Sequence, residues 1–181
     1  MLRFQHVVID PDGRDVRAGG RPLELTPTEF ELLVALARRV AAQLGAQTPA
    51  GSVTIDVASD GAPVVVHADA DRVAQIVLNL VGNAVRYTAE GGRVTIRLRR
   101  DAGTARLDVI DTGIGIASAD LPHLFERFYR VDRSRARASG GSGIGLTVSR
   151  HLAWAMGGDV AAASDGIGRG STFTLTLPVG R

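Results

Sequence analysis

Between about Ala70 and Tyr87 apolar residues recur at Val73, Ile76, Val77, Leu80 and Val81, the three-and-four spacing that turns one face of a helix inward. Asp69 stands just before this run as an N-cap, with a carboxylate able to take the first free N–H groups. A helix so apolar on one side needs a second layer to cover it. The flanking sequence supplies strands. Val53–Val57 and Val64–His67 read as strands around an Asp60-Gly61 turn, and Arg93–Arg100 and Ala105–Ile110 alternate as a pair around Gly103. A second helix is predicted over Gly143–Met156, with Asp159–Ala163 and Ser171–Leu177 as closing strands. The predicted fold class is therefore α+β, a two-layer sandwich with helices packed on one face of a sheet.

Upstream, Phe4–Ile9, Asp15–Arg17 and Pro22–Leu25 read as short strands of a meander, separated by Pro11-Asp12-Gly13 and Gly19-Gly20. Thr26-Pro27-Thr28-Glu29 carries an N-cap, a proline at the first helical position and a glutamate at the third. A helix is predicted from Pro27 towards Leu44, with Phe30, Leu33, Leu36 and Ala37 on its apolar face. Gly45–Gly51, containing Pro49, is the most linker-like stretch, which divides the chain into residues 1–44 and 45–181.

The positive charge is all arginine. The 181 residues include 21 arginines, no lysine and no cysteine, against 19 acidic residues, for a net charge of +2. Without lysine there is no Walker A phosphate contact, Schiff base or protein-kinase strand lysine. Without cysteine there is no disulfide, thiol nucleophile or thiolate zinc site. So small a charge excess does not imply wholesale nucleic-acid binding, and a GC-rich coding sequence also yields arginine in place of lysine. No stretch reaches the ~18–20 apolar residues of a membrane span, and no signal peptide opens the chain. The expected location is cytoplasmic.

Three places carry chemistry. Asn79 and Asn83 lie one turn apart, ~6 Å from each other, with Arg86 beyond them. Their amide oxygens suit a hard divalent cation shared with phosphate, or else satisfy neighbouring backbone groups in a core. Asp111-Thr112-Gly113-Ile114-Gly115-Ile116 follows a strand, placing a carboxylate where it can accept from a base amino group; a simple strand-to-loop turn would use the same residues. Gly140-Gly141-Ser142-Gly143-Ile144-Gly145-Leu146 opens a helix whose free N–H groups form a phosphate cradle. Arg127, Arg130, Arg133, Arg135 and Arg137 precede it as a basic stretch able to close over an anion, or as solvated surface.

In this order and spacing, DRVAQIVLNLVGNAVRYT, DTGIGI, LPHLFERFYRVD, GGSGIGL and GRGSTFTLTLP resemble the N box, first Gly box, F box, second Gly box and closing strand of bacterial sensor histidine kinases. The resemblance covers about residues 50–180 and implies the Bergerat ATP-binding fold of their catalytic domain. It makes ATP and Mg²⁺ the expected ligands, Asn83 the main metal ligand and Asn79 its assistant. It puts Arg86 and Arg130 on the phosphates, so that Asn79, Arg86 and Arg130 are the catalytic candidates, and Tyr87 beside the nucleotide. Asp111 would hold the adenine amino group, helped by a water near Thr172. Gly113 and Gly115 would leave room for the base, with Ile116 alongside. Gly141, Gly143, Gly145 and Leu146 would form the lid hinge and phosphate contacts.

Hydrolytic members of the wider superfamily carry a glutamate four residues before the magnesium asparagine as general base; here that position is Asn79, and an amide cannot take the proton. Transfer to a protein histidine is thereby favoured over hydrolysis. None of His6, His67, His123 and His151 has the context of a phosphoacceptor box, and each reads as a surface or packing residue. The expected partners are a separate histidine-containing dimerisation or phosphotransfer protein, or a cognate kinase, with a response regulator downstream. A non-catalytic nucleotide-binding regulatory module is the alternative. Residues 3–39, including LTPTEFELL, resemble the start of the winged-helix effector domain of OmpR/PhoB-type response regulators. That resemblance stops before the recognition helix, so DNA binding is not expected, and the chain reads equally as a fusion remnant of a regulator and a kinase.

Overall fold

The computed structural model describes residues 2–4, 7–9, 16–18, 21–22, 27–47, 52–59, 65–101, 103–130 and 143–179. The chain opens with β1 (Leu2–Phe4), β2 (Val7–Ile9), β3 (Val16–Ala18) and β4 (Arg21–Pro22), an antiparallel meander in sequential order. The run predicted as one strand, Phe4–Ile9, is instead parts of two, with Phe4 paired to Val7. Next come β5 (Pro27–Glu29) and α1 (Phe30–Gln47).

Pro27–Glu29 is not the first turn of a helix. It pairs antiparallel with β7 (Val65–His67), and α1 starts only at Phe30. A capping signal is local and is overridden here by a strand partner far away in sequence. At its other end α1 runs without a break past Leu44 and Gly45 to Gln47, and its Ala37 and Val40 are buried in the main core.

The principal sheet has five strands in the order β10 (Asp159–Ala163), β11 (Ser171–Pro178), β9 (Thr104–Asp111), β8 (Gly92–Asp101) and β6 (Val53–Ser59). All neighbours are antiparallel except β6 and β8. β6 and β7 therefore do not form the hairpin that an Asp60-Gly61 turn suggested. A parallel partner must be reached by a crossover, and α2 (Ala70–Tyr87) provides it.

α2 keeps its predicted span, and the Asp69 carboxylate accepts from the N–H groups of Asp71 and Arg72 at 2.9 and 3.1 Å. Its buried stripe of Val73, Ile76, Val77, Leu80, Val81 and Ala84 packs on one face of the sheet, against Val94, Ile96 and Leu98 of β8 and Val109 of β9. α3 (Gly145–Ala155) lies beside α2 and contributes Val148, Leu152 and Ala153. Each fully buried Leu or Ile is worth ~1.5–3 kcal/mol relative to exposure, so this interface fixes how the two helices sit.

The opposite sheet face is polar. There Asp108 is 2% exposed and accepts from Arg99 Nη2 at 2.8 Å, Arg106 Nε at 2.9 Å and Thr174 Oγ1 at 2.7 Å. Burial alone would raise this carboxyl, but the hydrogen bonds from Thr174 and Arg106 and the two guanidinium charges outweigh it and hold its pKa below the ordinary value.

Candidate functional site

Asn79 lies on the side of α2 that faces α3. Asn79 and Asn83 are half-buried, and Arg86 is exposed in the last turn. Tyr87, at the helix end, is 44% exposed, and its carbonyl accepts from the Ile114 N–H at 3.1 Å, pinning the loop after β9 to the end of α2.

Asp111 ends β9 on the helix side of the sheet and is 6% exposed. Its Oδ1 accepts from the N–H of Gly113 at 2.8 Å and of Ser171 at 3.3 Å, and its Oδ2 from Ser171 Oγ at 2.5 Å. Three donors fill three of about four lone-pair directions of a carboxylate. All three are neutral. Among the described residues one acceptor position is left on this buried carboxylate, which suits a further N–H donor such as an amino group on a base.

Ser171, which sequence reasoning passed over, takes the place expected of Thr172. Register explains the shift: Ser171 stands opposite Asp111, whereas Thr172 stands opposite Ile110 and so projects from the other face of the sheet. An alternation count along GRGSTFTLTLP from the buried Phe173 would have found it.

The glycines of the loop after β9 are required by the protein itself. A Cβ on Gly113 would lie 2.4 Å from the Tyr87 carbonyl oxygen, and one on Gly115, whose φ is 68°, would lie 2.0 Å from that of Gly166. A side chain at either position would thus meet backbone, and these glycines shape the loop wall. Ile116 is 8% exposed, and its N–H donates to Ser164 Oγ at 3.0 Å. Ser164 Oγ in turn donates to the Gly170 carbonyl at 2.6 Å, tying the β10–β11 loop to the same wall.

A second cluster forms where α3 begins. Among the described residues no side chain caps that helix, in contrast to α2, and its first N–H groups are suited to an anion. The carbonyl of Gly143, just upstream, accepts from the Phe128 N–H at 3.1 Å, and Gly143 lies against Arg130. Gly145 and Asn79 are in close approach, and Leu146 packs half-buried against the core. Gly141 and Arg133, Arg135 and Arg137 lie outside the described residues, as does His6.

The F-box segment is braced against α3. Thr147 Oγ1 donates to the Phe125 carbonyl at 2.9 Å, and the Arg150 guanidinium sits 4.7 Å from the Phe125 ring and 4.9 Å from the Trp154 ring. Tyr129 donates to Asp120 at 2.5 Å; that bond, with burial and the Asp120 and Glu126 charges, raises the phenol above its ordinary pKa. His123 pairs with Glu126 at 2.7 Å, and His151 Nδ1 lies 2.8 Å from the Thr147 carbonyl with its ring edge-on to Trp154. His123 is thus a surface residue and His151 a packing one.

The candidate site thus has two parts: a buried acceptor and loop wall at the end of β9, and the amide-bearing helix α2 beside the start of α3. This is the arrangement of a nucleotide-binding α/β sandwich, and the chain belongs to the histidine kinase-, DNA gyrase B- and HSP90-like ATPases, whose family model matches residues 68–181. Within that family it is similar to the sensor histidine kinase RppB of Synechocystis sp., at 42% identity over 127 residues, 69% of this chain and 28% of that protein. The chain thus spans little more than a quarter of that relative's length. Among solved structures it is similar to the mycobacterial sensor histidine kinase MprB, with a TM-score of 0.72, 25% identity and coverage of 86% of this chain and 97% of that one. It is also similar to full-length ShkA in complex with AMPPNP, with a TM-score of 0.74, 32% identity and coverage of 87% of this chain and 31% of that one. The α+β class and the Bergerat-type sandwich expected from the motifs are those of these catalytic domains. The family match begins at residue 68, and these comparisons do not support the effector-type resemblance of residues 3–39. Among the described residues no helix is long and apolar enough to cross a membrane.

Proposed function

We propose that this chain acts as the ATP- and Mg²⁺-binding catalytic domain of a two-component histidine kinase. It passes the γ-phosphoryl group of ATP to a histidine on a separate dimerisation or phosphotransfer protein or cognate kinase, with a response regulator downstream, in the cytoplasm. The observation that carries the proposal is the Asp111 carboxylate, buried and, among the described residues, held by neutral donors alone with one acceptor position left for the adenine amino group. Ser171 holds that carboxylate in place of the expected Thr172. Tyr87, Gly113, Gly115 and Ile116 form the wall around the base.

The metal reading fits the donor chemistry, since the amide oxygens of Asn83 and Asn79 are the hard ligands Mg²⁺ takes together with phosphate and water. Mg²⁺, when bound, supplies charge neutralisation at the transferring group. Arg86 and Arg130 add guanidinium charge at the phosphates. The start of α3, with Gly143, Gly145 and Leu146, offers backbone N–H groups to them; Gly141, expected beside them, lies outside the described residues. With an amide at residue 79, no general base stands ready to activate water, which favours transfer to an imidazole over hydrolysis.

Calorimetric titration with ATP, with and without Mg²⁺, tests the reading. Binding strengthened by Mg²⁺ is expected, with Asn83→Ala removing the metal-dependent part; no detectable heat overturns it. Incubation with labelled ATP and candidate histidine proteins then separates a kinase from a nucleotide-binding regulatory module, which binds without transferring. We also propose that residues 1–44 differ in origin from 45–181, as the remnant of an effector-type segment without DNA-binding role. Sequencing the surrounding locus tests this: an intact regulator and kinase pair beside the gene would argue against fusion by internal deletion.

A further inference from the structure

Ser149 belongs to none of the motifs above. It sits in the second turn of α3 and is 2% exposed, beside the buried Val148 and one turn from Leu152 and Ala153. A hydroxyl buried in such an interface is costly unless it has a partner. Its partner is Asn79: the Nδ2 group donates to Ser149 Oγ at 2.8 Å, across 70 positions of sequence. The rest of that amide lies against the first residue of the same helix. A Cβ on Gly145 would fall 2.3 Å from Asn79 Oδ1 and 3.0 Å from Nδ2, so a glycine there is what lets α3 come this close to α2. Asn79 therefore touches α3 at its first residue and at its second turn. On its other side α3 is tied to the F box through Thr147 and Phe125.

We infer that Asn79 and Ser149 form a latch that sets the uncapped start of α3 against the metal helix, which makes Ser149 a positioning residue for the triphosphate. The inference rests on the nucleotide reading and sharpens it. The donor end of Asn79 is committed to α3, so Asn79 couples the start of that helix to the metal helix, on which Asn83, one turn further on, is the main metal ligand and Asn79 its assistant.

The test compares wild type with Ser149→Ala, Ser149→Thr, Asn79→Ala and the double alanine variant, by titration with ATP·Mg²⁺ and separately with adenosine. Ser149→Ala is expected to weaken ATP·Mg²⁺ about three- to tenfold, the scale of one partly buried hydrogen bond, and to leave adenosine affinity unchanged. Ser149→Thr, which keeps the hydroxyl, should recover most of the loss, and the double variant should bind no worse than Asn79→Ala alone. Wild-type ATP affinity in Ser149→Ala, or losses that multiply in the double variant, would overturn the latch. Equal loss for ATP and adenosine would do so too, by reducing the contact to general stability. Failure of the wild-type protein to bind ATP overturns the nucleotide reading itself, and the role of the latch with it.

Discussion

Asp108 and Asp111 lie three residues apart on β9, both nearly buried, on opposite faces of the sheet, and they are held in opposite ways. Asp108 receives two guanidinium groups and a threonine hydroxyl. Asp111 receives two backbone N–H groups and a serine hydroxyl, with no cationic partner among the described residues. A carboxylate matched by positive charge has little left to offer a ligand, and its effect is on the fold. One held by neutral dipoles alone keeps an acceptor direction, so it can recognise a donor. Two positions on one strand, its middle and its end, thus separate stability from recognition.

The largest expected effect comes from the recognition end. Asp111→Ala should lower ATP affinity ~10–100-fold, the loss of a hydrogen bond to a charged group. Calorimetry checks this, and if stability falls while affinity holds, the contrast between the two acids is broken. Asp108→Ala should do the converse. It should leave ATP affinity unchanged and cost about 2 kcal/mol in denaturant unfolding, below the ~3–5 kcal/mol of a fully buried pair because both arginines are a third or more exposed and can be re-solvated.

Acid sharpens the comparison further. Asp108 has a lowered pKa, so the folded protein binds fewer protons there than the unfolded chain as pH falls below ~4, and stability rises with pH through that window. Its contribution is complete above the unfolded value and disappears as pH drops through the folded one; unfolding curves from pH 7 to 3 should show a shallower acid limb in Asp108→Ala. Asp159 marks the small end of the series. Burial works against its carboxylate, but the Arg150 hydrogen bond, the Val160 N–H and the Arg150 charge still lower its pKa. With a side chain 42% exposed, it should cost only about 0.5 kcal/mol when replaced by alanine.

What could be seen in sequence was what local chemistry decides. The span and cap of α2 follow from spacing and one aspartate, and β8 and β9 follow from alternation around Gly103. The residues around Asp111 alone fit a simple strand-to-loop turn equally, and it is the resemblance of the ordered motifs that singles the carboxylate out. Features set by distant partners escaped. Thr26–Glu29 carries good helix-start chemistry, yet Pro27–Glu29 pairs with β7. Ser171 and Ser149 acquire meaning only from the residues facing them across β9 and α2. The reason for Gly113 and Gly115 was likewise a neighbour, since carbonyls of Tyr87 and Gly166 occupy the space that the residues leave.

The parallel pairing of β6 with β8 also bears on how the molecule assembles. β8 and β9 are joined by a tight turn and can zip locally, whereas the other edge of β8 waits for a strand that precedes the whole of α2. Such long-range closure is slow relative to hairpin formation. Until it happens, the backbone of Gly92–Asp101 offers unpaired N–H and C=O groups to any other strand nearby. A chain begun at residue 68, where the family match starts, would keep that edge open permanently and would be expected to self-associate through it.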